Sequence, residues 1–328
     1  MQPKTPGISI IIPNYNGQHL LVETINCAIE ALVTSGITDY EIIVTDDASS
    51  DDSELLVKKT FPGICFLKSP INTGFSGNVN RGIQVAQKEL VLLLNSDVHL
   101  TPAYFIDQIP LFEDVQTFGV MGKILDQATK EVQDGAKAAQ INGLRIESNK
   151  NIYSGDAILP TLFLSGANAL IRRAYLTKLS GLNELFNPYY SEDVELGLRA
   201  WRFGFKLYYQ PKSICYHALS STIKKLPNEK VQVIAKRNKH YLHFLHLPFL
   251  LNWCYLISVF IRSFAQLLAG RTLHWKAFYC VMLNIPTLLR ERRKLAVPLS
   301  NQGLQSVFQV KKTIHHLLEN KSKEVVPS

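Results

Sequence analysis

Four short runs of Ile, Val and Leu punctuate the first hundred residues, at 8–12, 41–45, 64–67 and 90–94. They show little alternation of apolar and polar positions. That is the pattern of strands buried on both faces of a parallel sheet. Between the first two runs, Leu21, Ile25, Ala28, Ile29 and Leu32 fall near helical spacing, and residues 78–86 form a second candidate helix. Strand–helix alternation of this kind predicts a doubly wound α/β sheet with right-handed crossovers. Residues 127–158 are polar and irregular and read as a loop-rich excursion, after which the apolar run 161–171 is expected to return to the sheet. Ser191 stands as an N-cap before a helix running to about Phe203, with Gly204 as its stop. Val194, Leu198 and Trp201 share one face of that helix. Residues 206–210 read as a closing strand.

The character changes near Tyr241. Residues 247–268 read LPFLLNWCYLISVFIRSFAQLL, a run near the length that spans a bilayer. Asn252, Arg262 and Gln266 oppose a true span, because an Arg within hydrocarbon is costly. An interfacial helix flanked by Arg262, Arg271 and Lys276 fits better, and a packed helical bundle is the plainer alternative. The expected division is a domain over 1–240 and a basic, apolar helical region over 241–328.

Composition narrows the class. The chain has 328 residues, 46% hydrophobic and 19% charged, figures that fit a globular protein with a substantial core and not a disordered one. Its five cysteines are scattered and form no CxxC, against a disulfide framework or zinc site and in favour of a reducing compartment. The apolar run near the N-terminus is too short for a signal peptide and lacks a cleavage site. The net charge is +8, split as −5 over residues 1–217 and +13 from Ala218 onward. A basic tail of this kind suits an anionic membrane surface; no zinc-finger spacing or RNA-recognition signature favours nucleic acid.

Ligands of open α/β sheets sit beyond the carboxyl ends of the strands. The residues there are Pro13-Asn14-Tyr15-Asn16, Asp46-Asp47 and Asn95-Ser96-Asp97. Asn95 and Asp97 could turn oxygens toward one hard cation such as Mg²⁺ or Mn²⁺, or simply close an Asx turn. Asp46-Asp47 could accept hydrogen bonds from a base or ribose, or the cluster could cap a helix. The glycine-rich stretch 72–82 runs into a helix whose first N–H groups could meet an anion. It matches neither a dinucleotide fingerprint nor a P-loop. Glu192-Asp193 opens the Ser191 helix, where the dipole favours a carboxylate whether or not it takes protons. A lone His217 is more often structural than a ligand.

Taken in order, SIIIPNYNG (9–17), EIIVTDDASSDDS (41–53), NTGFSGNVNRGI (72–83), LVLLLNSDV (90–98), FLSGANALIRR (163–173) and GLNELFNPYYSEDVELGLRAWRFGFKL (181–207), then His217, resemble glycosyltransferase family 2. The likeness covers roughly residues 7–240 and looks closest to the bacterial rhamnosyltransferase-like branch that builds cell-surface polysaccharides. It implies a GT-A type fold: a mostly parallel nucleotide-binding sheet, here with a C-terminal helical extension expected at a membrane. It also implies transfer of a sugar from a UDP- or dTDP-linked donor to a glycan or lipid-linked acceptor, with inversion and a divalent metal.

The resemblance assigns roles to individual residues. Pro13 and Tyr15 would border the nucleotide, Asp46 would hold the pyrimidine, and Asn72, Arg81 and Ser96 would line the donor pocket. Asn95 and Asp97 stand at the metal-binding DxD, and His217 where several members contact metal or diphosphate. Asp193 stands at the catalytic base, with Glu192 and Gly166 on the acceptor side. Two positions depart from the pattern: Asn95 replaces the first acid of DxD, lowering the charge offered to the metal, and Ala48 replaces a glycine. The implied location is the cytoplasmic face of a membrane, peripheral or interfacial.

Two other readings are weaker. A nucleotidyltransferase calls for a basic, glycine-rich loop after the first strand, and PNYNG has no Lys or Arg. A binding-only protein of the same fold has no need of Asp46, Asp97 and Asp193 together.

Overall fold

The first apolar run becomes strand β1, Ile8–Asn14, covered on both faces. Its residues alternate between two cores. Ile8, Ile10 and Ile12 belong to one, with Ile42, Val44, Leu90, Leu92 and Leu94; Ile11, Ile43, Val91 and Leu93 belong to the other. Unbroken apolar runs are what such two-sided burial demands.

The computed structural model describes residues 5–148, 150–152, 155–217, 228–295 and 304–324. After β1 come α1 (Gln18–Thr34), β2 (Tyr40–Asp46), α2 (Ser53–Thr60), β3 (Cys65–Lys68), α3 (Gly74–Val85), β4 (Leu90–Leu94), β5 (Val98–Leu100) and β6 (Thr117–Asp126). An excursion of short strands follows: β7 (Val132–Asp134), β8 (Ala136–Lys137), β9 (Gln140–Asn142), β10 (Arg145–Glu147), β11 (Asn151–Ile152) and β12 (Leu159–Pro160). Then come β13 (Asn168–Arg172), α4 (Arg173–Lys178), α5 (Glu192–Arg202) and β14 (Lys206–His217). The C-terminal helices are α6 (Asn228–His246), α7 (Phe249–Leu268), α8 (Leu273–Leu283), α9 (Ile285–Leu295) and α10 (Val307–Glu324).

One ten-stranded sheet runs β12-β14-β6-β13-β4-β1-β2-β3, with β5 on β14 and β7 on β6. Strands β3, β2, β1 and β4 are parallel, as are β6 and β14. β13 runs antiparallel between β4 and β6, so all six of those strands share one direction. This mostly parallel sheet with C-terminal helices is the GT-A architecture expected from the sequence. α1 covers one face through Leu21, Ile25, Ala28 and Leu32. α3 covers the other, and lies so close that a Cβ on Gly82 would be 2.6 Å from Ile11 Cγ2.

Several local expectations change. Residues 127–158 are not loop alone but hold the short strands β7 to β11. Of residues 161–171, only those from Asn168 onward pair in the sheet. β14 is longer than a strand over 206–210. It continues to His217 past an irregularity between Gln210 and Ile214, where Pro211 has no N–H to donate. Ser191 precedes α5 as expected but is no side-chain cap: it sits at φ 72° and makes no capping hydrogen bond. Helix α2 carried too little apolar periodicity to stand out in the sequence.

The C-terminal helices share the core. Tyr241, Leu242, Phe244 and Leu245 of α6 and Val307, Val310 and Ile314 of α10 join the cluster that holds Val91 and Trp201. Gln305 and Arg202 exchange backbone and side-chain hydrogen bonds at 2.9 and 3.1 Å. Residue 240, where the sequence suggests a boundary, lies inside α6. Lys224 and Lys225, counted in the basic region, lie outside the described residues, as do 296–303. A chain ending at residue 240 should therefore show no cooperative thermal transition and partition to the insoluble fraction; a sharp melt like that of the full chain would contradict the shared core.

Candidate active site

Strand register builds the site. β5 pairs antiparallel with β14 so that Val98 faces His217. The residue before Val98 is Asp97, and its Oδ1 lies 3.3 Å from His217 Nε2 although 120 positions separate them. On the other side, Asn95 N–H donates to Ala167 O at 3.2 Å. The adjacent Gly166 backbone N–H donates to the Asp193 carboxylate, and Val194 N–H does so at 2.8 Å. Asp193 thus contacts Gly166, the neighbouring Ala167 carbonyl holds Asn95, and Asp97, two residues further on, pairs with His217, all at the carboxyl edge of the sheet.

The donor set fits a hard divalent cation. Asn95 Oδ1 is buried and has no hydrogen-bond partner among the described residues, which rules out the Asx turn. His217 Nδ1 lies 3.0 Å from Gln133 Oε1. With Nδ1 donating to that amide oxygen, Nε2 turns a lone pair toward Asp97, a contact that needs a proton or a cation between the two atoms. One carboxylate, one imidazole and one amide oxygen suit Mg²⁺ or Mn²⁺. Asp97 and His217 belong to no group of three acidic, His or Cys side chains among the described residues, and Asn95 would be the third ligand.

The donor side is built from the ends of β1 and β2. Asn14 pairs with Asp46 in register, and Asn14 Nδ2 donates to Asp46 Oδ2 at 2.8 Å. Asp46 is buried and also accepts from Ser49 N–H. Tyr15 is exposed at the rim, with Pro13 and Ser96 half-buried. Arg81 bridges the ends of β2 and β3, donating to Asp46 O at 2.8 Å and Leu67 O at 3.3 Å. Asn72 donates to Asp47 O at 3.4 Å. Arg81 and Asn72 thus hold the backbone at the ends of β2 and β3.

One expectation fails. The first N–H groups of α3 are not open to an anion. Asp47 accepts from Thr73 N–H at 2.7 Å and Gly74 N–H at 3.0 Å, Ser76 N–H donates to Asn187 Oδ1, and Phe75 N–H donates to Pro188 O. The second acid of the Asp46-Asp47 pair is a helix cap. Asp47→Ala should cost about 1–2 kcal/mol in chemical denaturation, and an unchanged midpoint would show that the cap contributes nothing.

Asp193 closes a narrow crevice lined by Phe75, Leu93, Gly166 and Leu196. Burial raises its pKa, and the charge of Asp134 adds to the rise. Burial also raises the Glu192 carboxyl, with Asp193 contributing, and Glu192 Oε2 lacks a partner among the described residues. Asp134 and Gln133 went unremarked in the sequence because they lie in the polar excursion, on a three-residue strand with no periodic signal. Gln133 orients His217, and Asp134 pairs with Lys137, whose Nζ also donates to Asn151 Oδ1 at 2.6 Å.

The turn before α5 is also tied down. Asn238 of α6 is fully buried, and its Nδ2 donates to Phe186 O, Tyr189 O and Tyr190 O at 2.6–2.9 Å. Asn187 Nδ2 donates to Thr73 O at 2.7 Å. The segment that aims Glu192 and Asp193 is therefore held from both α3 and α6. No composition or spacing signal marked Asn238 for this part.

The fold is that of the GT-A glycosyltransferases. The chain belongs to glycosyl transferase family 2, whose model matches residues 9–180. Chondroitin synthase of Escherichia coli is 24% identical over 241 residues, 64% of this chain and 34% of that one. GalNAc(5)-diNAcBac-PP-undecaprenol beta-1,3-glucosyltransferase of Campylobacter jejuni is 37% identical over 99 residues, 29% of this chain and 31% of that one. The matches thus span about a third of the length of these curated relatives. Among solved structures, the mannosyltransferase PcManGT of Pyrobaculum calidifontis, in complex with GDP-Man and Mn²⁺, superposes with a TM-score of 0.54 at 15% identity. That superposition covers 98% of this chain and 83% of that one, and it speaks to the fold.

The buried carboxyl beside Asp193 has a linkage consequence. A carboxyl whose folded pKa is raised makes folding favour the protonated form, so stability is lost as pH rises above the unfolded value near 4.3 toward the folded one. Glu192→Gln should flatten that decline in thermal melts taken from the unfolded value upward in pH, and a decline as steep as in the wild type would contradict it.

Proposed function

We propose that the protein transfers a sugar, with inversion, from a nucleoside-diphosphate-sugar to an acceptor hydroxyl in cell-surface glycan synthesis. The observation that carries this reading is the contact chain from Asp193 through Gly166 and Asn95 to Asp97 and His217. It supports Asp193 as proton acceptor near Asp97 and His217 as cation-holding groups, at the carboxyl ends of the parallel strands. Uridine- and deoxythymidine-linked sugars are the donors we assign, and the acceptor is a glycan or a lipid-linked sugar. The latter is supported by the undecaprenol-linked substrate in the name of the Campylobacter relative.

Asp97, His217 and the Asn95 oxygen would hold Mg²⁺ or Mn²⁺, which supplies positive charge for the departing diphosphate. The Asp193 carboxylate takes the acceptor's hydroxyl proton, and that oxygen bonds to the anomeric carbon. The bond from that carbon to the diphosphate oxygen breaks, and the nucleoside diphosphate leaves with the electron pair. Glu192, with its pKa raised by burial, is held toward its neutral form and is a poor nucleophile. A single ionised base, without a covalent sugar intermediate, gives inversion by analogy with hydrolases.

Asp193→Asn should lower turnover by about 10²–10⁴-fold, the typical worth of a positioned general base. Donor affinity should change little. Wild-type turnover would remove Asp193 from the chemistry. Because the base must be ionised, kcat/KM should rise with pH through a limb above the ordinary aspartate range. Asp134→Asn should move that limb to lower pH by removing a charge that raises the Asp193 pKa. A limb that stays in place would exclude the coupling. The donor screen pairs UDP-, dTDP- and GDP-sugars with thermal shift, with and without Mn²⁺.

A further inference from the structure

Helix α7 presents the wrong side to water. Leu250, Trp253, Ile257, Ile261, Phe264 and Leu268 recur at three- and four-residue steps, the spacing of one helical face, and all are exposed. Leu250 and Leu268, at the two ends, are 76% and 75% exposed. The opposite face is the one turned inward: Asn252, Tyr255, Leu256, Val259 and Ser263 are buried. The band continues onto α8, where Tyr279, Met282 and Leu283 are exposed. Phe260, Phe264, Trp275 and Phe278 join the two helices ring to ring, with centroids 5.7–6.4 Å apart. Exposed apolar area on this scale marks a binding surface.

We propose that this face of α7 and α8 is a monotopic docking surface for an anionic lipid bilayer, with α7 lying along the interface and not crossing it. The helix is long and apolar enough to cross by composition. Its buried Asn252, Tyr255 and Ser263, however, pack toward the protein, and crossing would strip them of that cover. Charge selects lipid over a second copy of the chain. Residues 249–295 carry seven Lys and Arg and one acid, Glu291. Arg262 and Arg271 are exposed on or just past α7. A second copy would bring like charges together, whereas acidic headgroups attract them. Trp253 and Tyr279 offer the amphipathic rings that settle at headgroup level. The surface is independent of the transfer chemistry, since none of its residues belongs to the active site.

The test is co-sedimentation of the full chain with vesicles of equal parts phosphatidylcholine and phosphatidylglycerol, without donor or acceptor. Binding should exceed that to phosphatidylcholine alone, and high salt should weaken it without abolishing it, because salt screens only the charge contribution. Combining Leu250→Gln, Ile257→Gln, Ile261→Gln and Leu268→Gln should weaken binding by at least about tenfold, with circular dichroism and donor hydrolysis unchanged. Should that variant misfold, brominated acyl chains in the same vesicles provide a second readout: they should quench wild-type tryptophan emission, and Trp253→Phe should lose most of the quenching. Equal vesicle binding by wild type and the glutamine variant, or wild-type emission that brominated chains leave untouched, would overturn the proposal. So would a wild-type dimer that ignores vesicles and that the glutamine variant turns into a monomer. Failure of donor hydrolysis with intact vesicle binding would instead count against the transferase reading alone.

Discussion

Carboxylates collected at one edge of the sheet must be held against their mutual repulsion, and much of the site's construction answers that need. Asp46, Asp47, Asp97, Asp134, Glu192 and Asp193 all arise from strand ends, helix starts or the excursion between β6 and β13. Each is met differently. Asp47 accepts hydrogen bonds from the start of α3, Asp134 pairs with Lys137, and Asp46 accepts from Asn14 and Ser49 N–H. Glu192 is buried and Asp193 half-buried at the back of a narrow crevice, and desolvation raises both pKa values. Asp97 faces an imidazole nitrogen whose other ring nitrogen is already committed to Gln133. That pair is balanced only by a proton or a bound cation. The function we propose rests on this imbalance: in that reading the site receives positive charge at Asp97 and His217 and holds the Asp193 carboxylate to accept a proton.

The central sheet was legible in the sequence because burial on both faces leaves unbroken apolar runs that little else in the chain imitates. The acidic strand ends followed from the topology, and the positions we propose for base and metal come from blocks whose order resembles a family. What the sequence hid was set by contacts between distant segments. Nothing local distinguishes Gln133 or Asp134 from other polar residues of a loop, and Asn238 looks like any helical Asn until the turn at 186–190 folds beneath it. The open N-terminus expected of α3 was misread for a related reason. Asp47 lies 26 residues before Thr73, and pairing of β2 with β3 brings that part of the chain round to the helix start.

The C-terminal helices tie these themes together. α6 supplies Asn238 to the turn before α5 and His246 to a buried cluster, where Glu195 of α5 lies 2.6 Å from Arg199 and 3.4 Å from His246. Breaking such a buried pair leaves an uncompensated charge, so the cluster fixes how α6 sits on α5. α10 seals the same core through Val307, Val310 and Ile314. The region that looked like an appendage is part of the scaffold that holds the start of α5, and the outer face of α7 and α8 is left exposed among the described residues. One segment thus supports the active site on its inner side and presents apolar surface on its outer side.

The most direct test of the central claim is to locate Mn²⁺ by anomalous scattering in crystals of the full chain grown with UDP. The account predicts a single strong peak bonded to an Asp97 oxygen, His217 Nε2 and the Asn95 amide oxygen, with the diphosphate completing its coordination. Diphosphate bound at the carboxyl edge of β1 and β4 with no Mn²⁺ peak beside Asp97 and His217, or a peak held by other residues, would contradict it.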